Sequence, residues 1–203
     1  MSQKKQILSK AEELFFRLGV KSITMDDLSR ELGISKKTLY LFVDNKADLV
    51  NKTLLRHFEK ERKDTICLTD DSQNAIDEII RIAEHSLRRF RSMHPSSIYD
   101  IKKYYPKAWE IIEQYKMEFI YRHIKENLAR GKREKLYREN INEDIISRIY
   151  LQIIDFIVNP HNFPATDYNF IDLYKEFISY HLQAIVTPAG YEYLKDIQLK
   201  DNE

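Results

Sequence analysis

The sequence predicts an all-α protein, with an N-terminal three-helix module of helix-turn-helix type followed by a helical body. Three observations predict it. Gly occurs 4 times and Pro 5 times in 203 residues, so long stretches run without a breaker. Apolar residues recur at steps of three and four from Ile7 to Ile185, the period of a helix with one buried face. Ser, Thr or Asn stands just ahead of several of these stripes, where helix N-caps belong. A hydrophobic content of 43% is enough for a real core and argues against disorder.

The elements follow in order. Ile7, Leu8, Ala11, Leu14, Phe15 and Leu18 form the first stripe, closed by Gly19. Thr24 precedes Asp26 and Asp27 and reads as the N-cap of a short second helix, with acids in its first turn. Leu28 and Leu32 face inward from it, and Gly33 ends it. Ser35 caps a third helix, with Leu39 inward. Asn45 or Asp44 caps a fourth, with Leu49, Val50, Leu54 and Phe58 as its stripe, running to about Asp64. The stretch TICLTDDS at 65–72 breaks the pattern and is expected to be a hinge. Ser72 is then expected to cap a helix carrying Ile76, Ile79, Ile80, Ala83, Leu87 and Phe90. Pro95 and Pro106 bracket a short helix, and Pro106 suits the first position of the next, which ends near Gly131. Asn142 caps a helix that Pro160 and Pro164 terminate. The last long helix runs from Phe170 to Ile185, and Pro188 breaks it. The expected domains are residues 1–48 and 49–203.

Charge and cysteine content exclude little and locate something. The net charge is only +1, but residues 1–64 carry a balance of +4 and residues 65–203 one of −3. A basic front on an acidic body points weakly to a polyanion at the front end, and ordinary sampling of surface charge explains it as well. The lone Cys67 cannot form an internal disulfide, which fits a cytoplasmic setting. The first ten residues hold no apolar signal region, and no stretch reaches the ~18 apolar residues of a membrane span.

The chemistry concentrates in one window. From Gly33 to Val43 there is no acid, while Ser35, Lys36, Lys37, Thr38 and Tyr40 stand together. Two short helices joined at LGIS form a helix-turn-helix, in which Leu28, Leu32, Ile34 and Leu39 pack together and Lys36, Lys37 and Tyr40 point out. A helix N-terminus already presents free N–H groups and a positive dipole. Two lysines and three hydroxyls added there make a surface that binds phosphates and reads base edges. The plain alternative is a capped, solvated helix in a helical protein.

The first 50 residues resemble the DNA-binding module of the TetR family of bacterial transcriptional regulators. The pattern is an amphipathic first helix closed by Gly19, then Thr24–Asp27–Leu28, Gly33–Ile34–Ser35, Thr38–Leu39–Tyr40, and Lys46 six residues after Tyr40. The stretch NLARGKREKLYRENIN is similar to the family's turn between its seventh and eighth helices. The resemblance implies that Thr24 binds a phosphate, that Lys36, Lys37 and Thr38 enter the major groove behind the Ser35 cap, that Tyr40 donates to a phosphate, and that Lys46 contacts the backbone. Three positions depart from the family pattern. Val43 stands where Phe is usual, Phe42 where a polar contact residue is frequent, and Lys37 where a small residue is frequent.

So small a module binds specifically by pairing on a palindrome, so the body is expected to form a homodimer. The Asn142-capped helix is apolar nearly all round, and with the last long helix it offers Ile145, Ile149, Ile153, Phe156, Phe170, Tyr174, Phe177 and Ile178 as an interface. A central helix of a monomer would read the same way. The resemblance also implies a pocket for a small hydrophobic or aromatic ligand, for which Tyr99, Tyr104, Trp109, Tyr115, Phe119 and Tyr150 are the candidates. Aromatics at helical spacing are equally the material of a core.

The six histidines show no i, i+3 or i+4 pair, and P-loop, GxGxxG and GxSxG motifs are absent. No metal, cofactor or enzymatic site is expected. The reading is a homodimeric regulator, a repressor, that binds a palindromic operator in double-stranded DNA and is released by a ligand. The alternative is a helical carrier or interaction protein that has lost DNA binding, a reading sustained by Phe42 and Val43.

Overall fold

The computed structural model describes residues 2–91, 93–94, 97–159, 161–164 and 166–200, the last four by backbone alone. They form α1 (Gln3–Leu18), α2 (Met25–Leu32), α3 (Lys36–Tyr40), α4 (Lys46–Asp70), α5 (Ala75–Phe90), α6 (Ser97–Tyr104), α7 (Pro106–Tyr115), a π-helical turn (Lys116–Ile120), α8 (Tyr121–Arg133), α9 (Glu143–Ile157), α10 (Phe170–Ile185) and α11 (Pro188–Lys200). Among the described residues there is no strand, only an isolated antiparallel bridge between Tyr137 and Val186. The fold is all-α, as the sparse breakers and the helical period imply.

The chain divides into two compact units. The first comprises Met1–Lys63 and Arg91–Tyr115, and so holds α1–α3, most of α4, and α6 and α7. Its core is Ile7, Ala11, Leu14 and Phe15 from α1, Leu28 from α2, Leu39 from α3, and Leu49, Val50 and Leu54 from α4, closed by Ile101 and Ala108. Ser97 Oγ on α6 donates to the Phe15 carbonyl at 3.3 Å, which fixes α6 to α1. Phe58 stacks on Tyr115 with ring centroids 4.2 Å apart.

The second unit comprises Asp64–Phe90 and Lys116–Glu203. Its core joins Ile76, Ile79 and Leu87 of α5, Ile124 and Leu128 of α8, Tyr150 and Ile157 of α9, and Tyr174, Phe177, Leu182 and Ile185 of α10. A charged network lies inside it. The buried Glu78 carboxylate takes His123 Nε2 at 3.0 Å and Arg130 Nη1 at 2.8 Å, and Arg130 also holds Glu134 and Ser72. Burial works against the charge on Glu78, but the bonds from His123 and Arg130 win and hold its pKa below the usual value. Lys116 in the π turn is paired with Asp155 of α9 at 2.7 Å.

Several expected boundaries move. Residues 65–70 are the last turns of α4 and not a hinge, because Thr65 is buried and Thr69 Oγ1 donates back to the Thr65 carbonyl. The break falls at 71–74, and Asn74 is the cap of α5: its side chain accepts from Ile76 and Asp77 N–H, while Ser72 donates to the Thr69 carbonyl. Gly131 lies within α8, which runs on to Arg133. α10 stops ahead of Pro188 as expected, and Pro188 opens a further helix, α11, with Thr187 Oγ1 accepting from Gly190 N–H. Pro106 opens α7 as expected. Pro95 and Pro160 lie outside the described residues.

Candidate nucleic-acid interface

The opening of α2 is held by a reciprocal capping box. Thr24 Oγ1 accepts from Asp27 N–H at 3.1 Å, and Asp27 Oδ2 accepts from Thr24 N–H at 3.0 Å. Those bonds, chiefly from Thr24, keep Asp27 ionised below the usual carboxylate range. Gly33 closes α2 at φ +64°, the left-handed conformation a tight turn requires. Its N–H returns to the Arg30 carbonyl at 3.1 Å, and Ile34 N–H to that of Ser29 at 3.1 Å. Ser35 then caps α3, accepting from Thr38 N–H at 3.0 Å.

α3 has five residues and cannot hold itself together in isolation. Leu39, fully buried, pins it to the core, and Leu28 beside it does the same for α2. With Leu39 inward, Lys36, Lys37 and Tyr40 are exposed and Thr38 is half-buried. The structure thus brings Ser35, Lys36, Lys37, Thr38 and Tyr40 to one short helix, its N-terminus open beside two lysines. Lys36 Nζ sits 2.5 Å from Asp26 Oδ1, and that bond raises the lysine's pKa. Lys46 opens α4, half-buried, with Nζ donating to the Lys21 carbonyl at 3.2 Å. Burial lowers the Lys46 pKa. Asn45 is the cap of α4, accepting from Asp48 N–H at 2.9 Å.

Two of the three departures from the family pattern are structural, and the third, Lys37, is exposed on α3. Val43 is 2% exposed and fills a core position. Phe42 is half-buried against the same core, and its carbonyl accepts from Lys52 Nζ at 3.0 Å. Both side chains serve packing, so neither removes a group from the exposed side of α3.

The other expected sites disperse. Tyr99, Tyr104, Trp109 and Tyr115 lie in the first unit, Phe119 and Tyr150 in the second. Tyr99 and Tyr104 are exposed, Tyr150 is core, and Phe119 stacks on His123 with centroids 5.8 Å apart. The groove of the second unit is formed by other residues. About 270 Å³ in volume, it lies between α5, α10 and α11, with Ile80, Ala83, Leu87, Leu182 and Leu194 among its lining and Lys175 and Lys195 beside them. Of the interface candidates, Ile145, Ile149 and Phe156 are 53%, 47% and 55% exposed, on one side of α9. Ile153 and Phe170 are half-buried. Tyr174, Phe177 and Ile178 belong to the chain's own core, because they sit on the side of α10 that meets α5 and α9. Sequence reasoning passed over Tyr180, which is exposed on α10, and Lys21, whose neighbour Tyr104 stands 83 residues away.

A capped helix-turn-helix with an outward cationic second helix, carried on an all-α chain, defines the class: a DNA-binding regulator. Residues 7–53 match the family model described as "Bacterial regulatory proteins, tetR family". The chain is 27% identical over 159 residues to the uncharacterized HTH-type transcriptional regulator YvaF of Bacillus subtilis (strain 168), covering 77% of this chain and 81% of that one. Its fold matches that of a transcriptional regulator from Saccharomonospora viridis in complex with choline, with a TM-score of 0.75, 17% identity, and 91% and 97% of the two chains covered. It also matches the reduced form of E. coli NemR, with a TM-score of 0.75, 14% identity, and 93% and 100% covered. Residues 7–53 place the chain's N-terminal module in the TetR family of bacterial regulatory proteins.

Proposed function

We propose that the chain is a repressor that binds a palindromic operator as a homodimer and leaves it when a small hydrophobic or aromatic molecule binds. In this reading residues 1–48 are the DNA-binding domain, residues 49–203 carry ligand binding and dimerisation, and the protein acts in the cytoplasm as a binding protein without catalytic chemistry. α3 enters the major groove with Lys36, Lys37 and Thr38. Tyr40, Thr24 and Lys46 take phosphates.

The observation that carries this reading is the pairing of an open α3 N-terminus with an unpartnered apolar side of α9. Ile145, Ile149 and Phe156 are large, apolar and half exposed, and a second copy of the chain would cover them. Two modules joined in that way present two recognition helices, and half-sites about 34–36 Å apart follow from B-DNA geometry. A choline complex of a protein with this fold supports a small-molecule response. Ligand release requires only that the ligand bind more tightly to a form with the wrong spacing for DNA. Among the described residues no helix is long and apolar enough to cross a membrane.

The test is selection from a random duplex pool by the purified protein at ~150 mM salt, where non-specific phosphate binding is weak. Enrichment of a palindrome, with base preferences altered by Lys37→Ala or Thr38→Ala, is the expected result. A folded protein that enriches no sequence would transfer the reading to a carrier or interaction protein.

A further inference from the structure

The first unit holds a second cationic cluster outside the helix-turn-helix. Lys21, in the loop between α1 and α2, places Nζ 3.5 Å from the Tyr104 hydroxyl and 5.0 Å from the centre of its ring. Lys103 Nζ lies 3.4 Å from the Tyr99 hydroxyl and 5.3 Å from the Tyr104 ring centre. All four side chains are exposed. Exposed lysine–tyrosine contacts of this kind stabilise a surface only weakly, so stability alone gives little reason to gather them.

Their position gives a better one. The Lys21 carbonyl is the acceptor for Lys46 Nζ at 3.2 Å, and Lys21 stands three residues ahead of the Thr24 cap of α2. The cluster therefore continues directly from the two groups assigned above to phosphates. It is also held in place. α6 is bonded to α1 through Ser97, and Ile101 is buried in the core that α2 and α3 share. The nearest acid on α6, Asp100, is buried and faces Lys46 electrostatically, so it does not neutralise the exposed lysines.

We propose that Lys21, Lys103 and Tyr104 form an accessory grip on the DNA backbone, taking phosphates that flank the base pairs read by α3. This rests on the DNA-binding reading above. The grip carries no sequence information and acts on duplex that extends past the operator half-site, where a phosphate takes over the bonds the lysines now give to tyrosine hydroxyls.

The experiment compares two duplexes containing the selected operator, one trimmed to the palindrome and one extended by about ten base pairs at each end. Affinity of the wild-type protein for the trimmed duplex reports the DNA-binding reading. The excess affinity for the extended duplex reports the grip. With Lys21→Ala and Lys103→Ala together, four charges leave a dimer, and the salt slope on the extended duplex should fall by ~3.6. Affinity for the trimmed duplex should stay unchanged. Tyr104→Phe should remove a smaller part of the length-dependent excess. A wild-type protein indifferent to duplex length, or a double variant weakened equally on both duplexes, overturns the grip while leaving operator binding established. Failure of the wild type on the trimmed duplex overturns both.

Discussion

The Tyr137 ring occupies the place where a side chain on Gly131 would begin: a Cβ built on Gly131 would lie 2.0 Å from Tyr137 Cδ2. The ring cannot swing away. Its hydroxyl donates to the Ala75 carbonyl at 2.9 Å and stands 3.2 Å from Asn127 Oδ1, so the turn after α8 is fastened to the start of α5. Gly131 is there for close approach, and its backbone is ordinary helix.

Gly131→Ala is therefore expected to destabilise the protein by about 3 kcal/mol, the upper range for overpacking a closed site. Pairing it with Tyr137→Ala should bring little further loss, because the second change removes the clash. Urea titration of the two single variants and the double variant measures this, and simple additivity would show that the contact is not the cause.

Lys46→Ala and Tyr40→Phe are expected to weaken binding to every duplex alike, since in the proposed pose both would touch phosphate. Lys46→Ala should also lower the salt slope by ~1 for each protomer. Fluorescence anisotropy across a salt series reads both effects. Binding unchanged in both variants would remove the docking pose.

Ile149→Glu places a charge in the centre of the exposed α9 side, between Ile145 and Phe156. In a monomer it meets water and costs little. In a dimer it is buried without a partner and should dissociate the protein and abolish tight operator binding. Sedimentation equilibrium at micromolar concentration distinguishes the two, and an intact dimer would place the interface elsewhere.

His181 gives a pH dependence with a definite sign. It is buried against Tyr150 and Phe177, and its Nε2 has no hydrogen-bond partner among the described residues. Burial lowers its pKa from 6.5 to about 4. The unfolded chain then takes up the proton first as pH falls, so the stability that neutral His181 permits is complete above about pH 6.5 and is lost on the way down to pH 4. Between pH 7.5 and 5 the loss is about 2 kcal/mol. His181→Leu should flatten that part of the stability curve at fixed protein concentration. An unaltered slope would assign the acid sensitivity to other groups.

The front module was readable because its determinants are local. Thr24, Ser35 and Asn45 each bond an N–H within three residues, and Gly33 adopts the positive φ that its place after Leu32 implies. The body was less readable because its determinants are tertiary. Ser72 and Asn74 are equally good caps by type, and Ser72 is drawn out of that role by the Thr69 carbonyl and by Arg130, 58 residues away. Pro188 carries the same letter whether it ends α10 or begins α11, and the bond from Gly190 to Thr187 decides. The aromatic residues could be read as core or pocket, and the α5–α10–α11 groove is lined by neither the expected tyrosines nor Trp109, because helix packing sets concavity and periodicity does not.

If α3 meets DNA as proposed, the ion pair between Lys36 and Asp26 competes with DNA for the lysine. A free lysine at the tip of α3 would attract any stretch of duplex. Here its charge is engaged at 2.5 Å by an acid on the neighbouring helix, and it must be released before it serves DNA. Leaving that partner is worthwhile only where a base edge or phosphate stands in register to replace it. Both side chains are exposed, so the pair subtracts only a little from the attraction of an arbitrary duplex. In the proposed complex, Asp26 would thus trim the lysine's indiscriminate pull while leaving it available where a DNA group stands in register.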